Sequence, residues 1–290
     1  MTRCVILLAP LLAAVPAVGQ PPAPPGQNDA ALRVTRAAGA EYAFRVGADD
    51  KPLDFRREPV LAWSNPVAGD VHGNAFVWTR GGRPLVFGCL FNWFAPQAPT
   101  VMEHEFHSLA DGPVAGTFHG EPVWKTAEAG LKFADVPGAP APAAGEAART
   151  LQLKQLAAAF AGTGRFGKST TDLDLRLLPQ PLYRYAAPDQ GVVAGGVFAF
   201  VRATDPEIVL LIEARGKDAA AARWEFAAVR MHSMADLRLR HKDVPVWATE
   251  PIPFKDVFER HERAYTAFRF KTVPDFLKDA AADPKPKEQP

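Results

Sequence analysis

PVLAWSNPVAGDVHGNAFVWTRGGRP, residues 59–84, aligns without a gap on PLYRYAAPDQGVVAGGVFAFVRATDP, residues 181–206, at a constant shift of 122. Pro59/Pro181, Pro66/Pro188, Gly69/Gly191, Val71/Val193, Gly73/Gly195, Phe76/Phe198, Arg80/Arg202 and Pro84/Pro206 are identical. Average residue usage would give roughly two such matches. Trp63 faces Tyr185 in the alignment and Trp78 faces Phe200, and Pro122-Val123-Trp124 meets Pro245-Val246-Trp247 at a shift of 123. The chain therefore reads as two related units, and residues common to both copies serve a scaffold.

Each copy carries the marks of antiparallel strands. Arg80-Gly81-Gly82-Arg83 separates two aromatic-rich apolar runs and reads as a hairpin turn, as does Ala203-Thr204-Asp205-Pro206. Gly69, Gly73, Gly191 and Gly195 suit positive-φ or close-approach positions. Strand parity puts Phe76, Trp78 and Arg80 on one face, with Phe198, Phe200 and Arg202 on the equivalent face. Leu85, Phe87, Cys89 and Phe91 share parity and read as core. Ile208 to Ile212 is apolar on both faces, so that sheet is covered on both sides, with helices as the expected cover.

Ala147, Leu151, Leu156, Ala159 and Phe160 recur at near-helical spacing before Gly162. A second helix is expected through Phe254, Val257, Phe258, His261, Tyr265 and Phe268, and Ala31, Val34 and Ala38 leave a faint helical stripe in the first copy. The fold class is α+β. Each of two repeated units, 31–135 and 147–250, is a helix followed by an antiparallel meander of about five strands, with a linker at 136–146 and a C-terminal helical segment at 251–281.

Arg3 and the apolar run Val5 to Val18, with Ala17 and Gly19 placed for cleavage, read as a signal peptide over residues 1–19. The run is too short and Pro-broken for a membrane span. The expected location is therefore exported, periplasmic or extracellular. Residues 20–30 and 282–290 are expected to be disordered, Pro-containing segments. Cleavage removes Cys4 and leaves Cys89 alone, so no intramolecular disulfide can form and an apolar core must hold the chain. Lys and Arg total 33 against 32 Asp and Glu. That balance gives no electrostatic case for nucleic acid or an anionic membrane.

Gly162-Thr163-Gly164-Arg165-Phe166-Gly167-Lys168-Ser169 satisfies a phosphate-loop pattern. It follows a helix and precedes the strand Leu173 to Leu178, the reverse of the strand-to-helix setting that cradles phosphate, and it reads as a connector. Glu103, Glu105 and His107 share one strand face while His104 points away. Three such groups could ligate a divalent metal if a fourth, such as His72, approached; the simpler reading is a solvated polar face. His107-Ser108 and His232-Ser233 cannot each form a nucleophile and base pair, because strand neighbours diverge. Arg80 and Arg202 are expected to stack on Trp78 and Phe200, or else to clamp a ligand between the copies. The run Leu237 to Lys242 is the wet face of a strand. Trp93 and Phe94 are the plausible exposed aromatics for ligand contact.

LAWSNP (61–66), FVW (76–78), HEFHSL (104–109) and LLPQPLYRY (177–185) resemble a family of uncharacterised exported proteins of planctomycete-type bacteria, over roughly residues 55 to 250. The resemblance implies compartment and bacterial origin, and no assigned activity or catalytic residue.

The expected function is a non-enzymatic binding or scaffold module, without a cofactor, whose site lies between the units and contacts Arg80, Arg202 or Trp93. Its partner is a small ligand or an envelope component. The alternative is a metal-dependent or hydrolytic enzyme using Glu103, Glu105 and His107.

Overall fold

The structure, a computed structural model, describes residues 26–94 and 99–282. The expected signal peptide, the start of the tether and the tail beyond residue 282 lie outside the described residues.

In chain order the first half comprises helix α1 (Gln27–Ala40) and strands β1 (Tyr42–Val46), β2 (Asp54–Phe55), β3 (Leu61–Ser64), β4 (Val71–Arg80), β5 (Arg83–Phe94), β6 (Pro99–Ser108), β7 (Val114–Phe118), β8 (Glu121–Lys125) and β9 (Ala134–Asp135). The second half comprises helix α2 (Glu146–Ala157) and strands β10 (Phe160–Phe166), β11 (Leu173–Leu177), β12 (Tyr183–Ala187), β13 (Val192–Arg202), β14 (Asp205–Arg215), β15 (Arg223–Arg230), β16 (Ala235–His241) and β17 (Val244–Thr249). Helix α3 (Phe254–Glu259), strand β18 (Tyr265–Phe270) and helix α4 (Lys278–Ala281) close the chain. The fold is α+β, and its strand pairings are antiparallel.

Two large sheets pack face to face. One runs β18-β6-β5-β4-β2 with β3 beside β4; the other runs β17-β16-β10-β11-β13-β14-β15-β9 with β12 beside β13. Phe87, Cys89 and Phe91 of the first meet Val197, Val209 and Leu211 of the second in one buried cluster. The outer face of the first sheet buries Phe76, Trp78 and Phe106 under α1 and the small sheet β1-β7-β8. Phe198, Phe200, Ile208 and Leu210 of the second pack with Leu153 and Leu156 of α2 and with Phe160, Leu237 and Leu239, so this sheet bends over its own face. The expected cover is thus half right: a helix lies over one side of β14, and the partner sheet covers the other.

Local chemistry explains the central hairpins. Gly81 and Gly82 both hold positive φ (56° and 82°), the two-residue turn whose twist matches its strands. Gly73 stands opposite Trp63 in the β3–β4 register, and a Cβ there would lie 2.4 Å from the indole. Gly195 stands opposite Tyr185 in the β12–β13 register at the same clearance. Both glycines are seats for a ring.

Several expectations are corrected. Residues 27–30 open α1 instead of continuing a tether, because Ala30, Ala31, Val34 and Ala38 bury one stripe. The helix expected through Tyr265 and Phe268 stops at Glu259, and residues 265–270 instead pair with β6, whose exposed edge they cover. Gly162 to Phe166 is strand β10, lying between β11 and β16, and is no connector. Strand β11, not a helix, follows it, so the strand-to-helix setting of a phosphate loop is missing here. Leu85 leaves the parity of Phe87 because a bulge between Trp78 and Thr79 turns it to the outer face. Val136, placed at the start of a linker, is buried in the second core and its amide bonds to Trp224.

Gly73→Ala and Gly195→Ala are each expected to cost about 1–3 kcal/mol, since a buried ring cannot yield to the new methyl. Gly112→Ala, where a Cβ meets nothing within 4 Å, should be neutral. Urea midpoints of the three variants test this.

Candidate functional site

Strand β6 lies between β5 and β18, and this placement decides the fate of its polar face. Glu105 stands opposite Cys89 and Ala267; Glu103 stands opposite Phe91 and Arg269. Glu103, Glu105 and His107 are therefore buried against the junction of the two large sheets, and the expectation of a solvated face is overturned. The cause is β18, which converts an edge strand into an inner one. His104 points the other way, as its parity requires, and its Nδ1 pairs with the Tyr42 hydroxyl at 2.9 Å.

Each group is partnered differently. Arg269 Nε donates to Glu103 Oε2 at 2.8 Å, while its guanidinium lies over Phe258 (4.8 Å), Phe254 and Trp93. Burial raises the Glu103 pKa, with Arg269 opposing. Burial raises Glu105 further, and the nearby Glu103 and Asp205 charges add to it. His107 donates Nδ1–H to the Ser108 carbonyl at 2.9 Å, and burial pushes its pKa down to about 4.

The second sheet brings two more acids to this end of the junction. Asp205, at the start of β14, accepts a hydrogen bond from Asn65 Nδ2 at 2.9 Å. Burial lifts its pKa to about 7 against the Asn65 bond and the Arg202 charge. Glu207 is 1% exposed, its Oε2 has no hydrogen-bond partner among the described residues, and burial with the Asp205 and Glu105 charges holds its pKa high. Neutral carboxylic acids are favoured here, and they donate as well as accept hydrogen bonds. Among the described residues no three His, Cys, Asp or Glu side chains converge closely enough to hold a metal ion.

The opposite end of the junction is built otherwise. Arg83 of β5 donates to both oxygens of Glu213 of β14 at 2.9 and 3.2 Å, and to Asp111 at 2.9 Å. Tyr185 Oη and Arg215 Nη1 also donate to Glu213, each at 2.8 Å. Burial alone would lower the Arg83 pKa; Glu213, with Asp111, more than reverses this and raises it. One end of the sheet pair is thus locked by a saturated ion cluster, and the other carries acids with too few cations. Each hairpin turn also docks on the opposite half: Tyr183 Oη donates to the Gly82 carbonyl and Thr204 Oγ1 to the Ser64 carbonyl.

Beside His107 a cleft of about 620 Å³ opens between the halves. His107 of β6 and the segment Glu128 to Lys132 form one wall, and Ala228 to Arg230 of β15 with Trp247 to Thr249 of β17 form the other. A polar layer also separates α1 from its sheet. Asn74 Nδ2 donates to Thr35 Oγ1 at 3.0 Å, His72 pairs with Asn28, and the amide of fully buried Asn92 finds no partner among the described residues. Under α2 the matching contact is apolar, with Leu153 near Gly196 and Ala214 in the same cluster.

The other expected site residues do not gather at one point. Arg80 pairs with Asp49 at 3.0 Å and the Lys51 carbonyl, and Arg202 lies over the Phe166 ring at 4.6 Å, so neither stacks on the ring two residues earlier. Trp93 is half-buried against Phe91, and Phe94 is buried beside His72. Asp205, Glu207 and Arg230 are the junction residues that strand parity and motif spacing did not single out. Comparison with protein families, with curated proteins and with solved structures finds no match for this chain.

Because the folded Asp205 pKa lies above its ordinary value of 3.8, its stabilising contribution is complete below about pH 4 and is lost as pH rises through about 7. Asp205→Asn should therefore raise the melting temperature at pH 8, by about 2–4 °C per kcal/mol relieved, and change little at pH 4. The histidines held low by burial act in the opposite direction, losing stability as pH falls below 6.5, so the test is the difference between variant and parent at each pH. At the other end, Arg83→Met should cost about 3 kcal/mol, and adding Glu213→Leu should restore part of it. A double-mutant cycle in urea measures both.

Proposed function

We propose that the chain is an exported, non-enzymatic binding module made of two related units, with its ligand held in the cleft beside His107 at their junction. Matching registers support the duplication. Val86 stands opposite Ser108 as Ile208 stands opposite Arg230, each partner displaced by 122 residues. The β4–β5 bulge after Trp78 recurs in β13–β14 after Phe200, and the bulge between Gly116 and Thr117 recurs, at a shift of 123, between Leu239 and Arg240. A two-fold relation between the units would exchange Arg83 with Asp205 and Phe91 with Glu213, which accounts for one ionic and one acidic end. Export rests on the N-terminal sequence.

The observation that carries the binding reading is the cleft itself. Its walls come from both units, and its buried histidine offers a ring nitrogen that has no hydrogen-bond partner among the described residues. A metalloenzyme built on Glu103, Glu105 and His107 would need those groups to converge. Alternate strand residues stand about 6.5–7 Å apart, and Glu103 and His107 are each held by their own partner.

Ala248 is exposed and lines the cleft, so Ala248→Trp should fold normally while filling it. A thermal-shift screen of small metabolites is expected to find a stabiliser whose effect this variant abolishes. A stabiliser acting equally on both proteins would sink the proposal. A stoichiometric divalent metal lost on Glu105→Gln would establish the enzyme reading instead.

A further inference from the structure

The cleft is selective by what its polar groups have left to give. His107 is 7% exposed, and its Nδ1–H is committed to the Ser108 carbonyl. Nε2 therefore carries a lone pair, and no described side chain meets it. A ligand reaching this nitrogen must bring a hydrogen-bond donor.

Arg230 would ordinarily mark the cleft for an anion, but its donors are spent. Nε donates to the His232 carbonyl (2.9 Å), Nη1 to Thr249 Oγ1 (3.0 Å) and the Glu250 carbonyl (2.7 Å), and Nη2 to the Ser233 (2.7 Å) and Ala235 (3.0 Å) carbonyls. All five N–H groups of a guanidinium are thereby used. Arg230 pins the 232–250 segment that carries Trp247, and has nothing left for a ligand. At the rim, exposed Lys132 and Glu128 carry opposite charges. The remaining apolar lining includes the half-buried Trp247 and Leu131, beside one acceptor.

From this we infer that the cleft takes a neutral, hydroxyl-rich ligand of the saccharide class, a ring hydroxyl donating to His107 Nε2 while the C–H face of the sugar lies on Trp247. The inference rests on the cleft reading above. An amine would lie beside the Arg230 guanidinium, and a phosphate or carboxylate would find no uncommitted donor there, only the solvated Lys132 ammonium.

Titration of the full chain with cellobiose, chitobiose and maltotriose, followed by tryptophan fluorescence and calorimetry, tests this, with inorganic phosphate and spermidine as charged probes. At least one saccharide is expected to bind. Trp247→Ala should weaken it tenfold or more, Ala248→Trp should abolish it, and neither charged probe should compete. His107→Gln, which retains a side-chain acceptor, should lose less affinity than His107→Leu; matched melting temperatures for the two would separate this from misfolding. Binding of phosphate or spermidine that Ala248→Trp abolishes overturns the ligand class and leaves the cleft standing. Saccharide binding unchanged in both tryptophan variants overturns class and cleft together. No binding by any saccharide overturns the class alone, since the metabolite screen tests the cleft independently.

Discussion

Everything in this protein depends on two sheets burying their inner faces against each other. Phe87, Cys89 and Phe91 on one side and Val209, Leu211 and Val229 on the other supply the apolar contact. Such contact is tolerant of sliding, because dispersion and desolvation carry little direction. Arg83 and Glu213 supply the direction: a bidentate pair in a dry setting has one good geometry. Its value lies in specificity more than in net stabilisation, given what desolvating two charges costs. With the sheets so placed, α1 and the small sheet must cover one outer face, and α2 with the bent strands must cover the other.

The central hairpins were legible in the sequence because their constraints are local. A double glycine at 81–82, a glycine facing an aromatic ring at 73 and 195, and alternating aromatic residues each leave a mark within a few positions. Tertiary context decided the rest. Tyr265 to Phe270 has a pattern compatible with a helix, and only the open edge of β6, some 160 residues upstream, makes it a strand. For the same reason Glu103, Glu105 and His107 could be assigned to one face but not to the inside. Gly162 to Phe166 carried a strong loop pattern and became a strand because β11 and β16 flank it.

The polar site was half legible. Parity alone grouped Glu103, Glu105 and His107, whereas Asp205 and Glu207 come from the other sheet. One signal for the missing partners was present in the alignment of 59–84 with 181–206: the position held by Arg83 is occupied by Asp205. Arg83 and Asp205 stand at opposite ends of the sheet junction, one in the ion cluster and the other among the acids. The contacts under the two helices differ as well, polar at Thr35 and Asn74 and apolar at Leu153 and Gly196.

Strand β18 has a consequence for how the chain is made. Its register against β6, Tyr265 opposite His107 through Phe270 opposite Met102, joins a strand from the C-terminal part of the chain to the first large sheet. During vectorial synthesis that sheet waits with an open strand edge, its acids still wet, until residue 270 has emerged. The first half thus cannot commit to its native state ahead of the second. Closure of the first large sheet is therefore a late event, timed by delivery of the C-terminal strand.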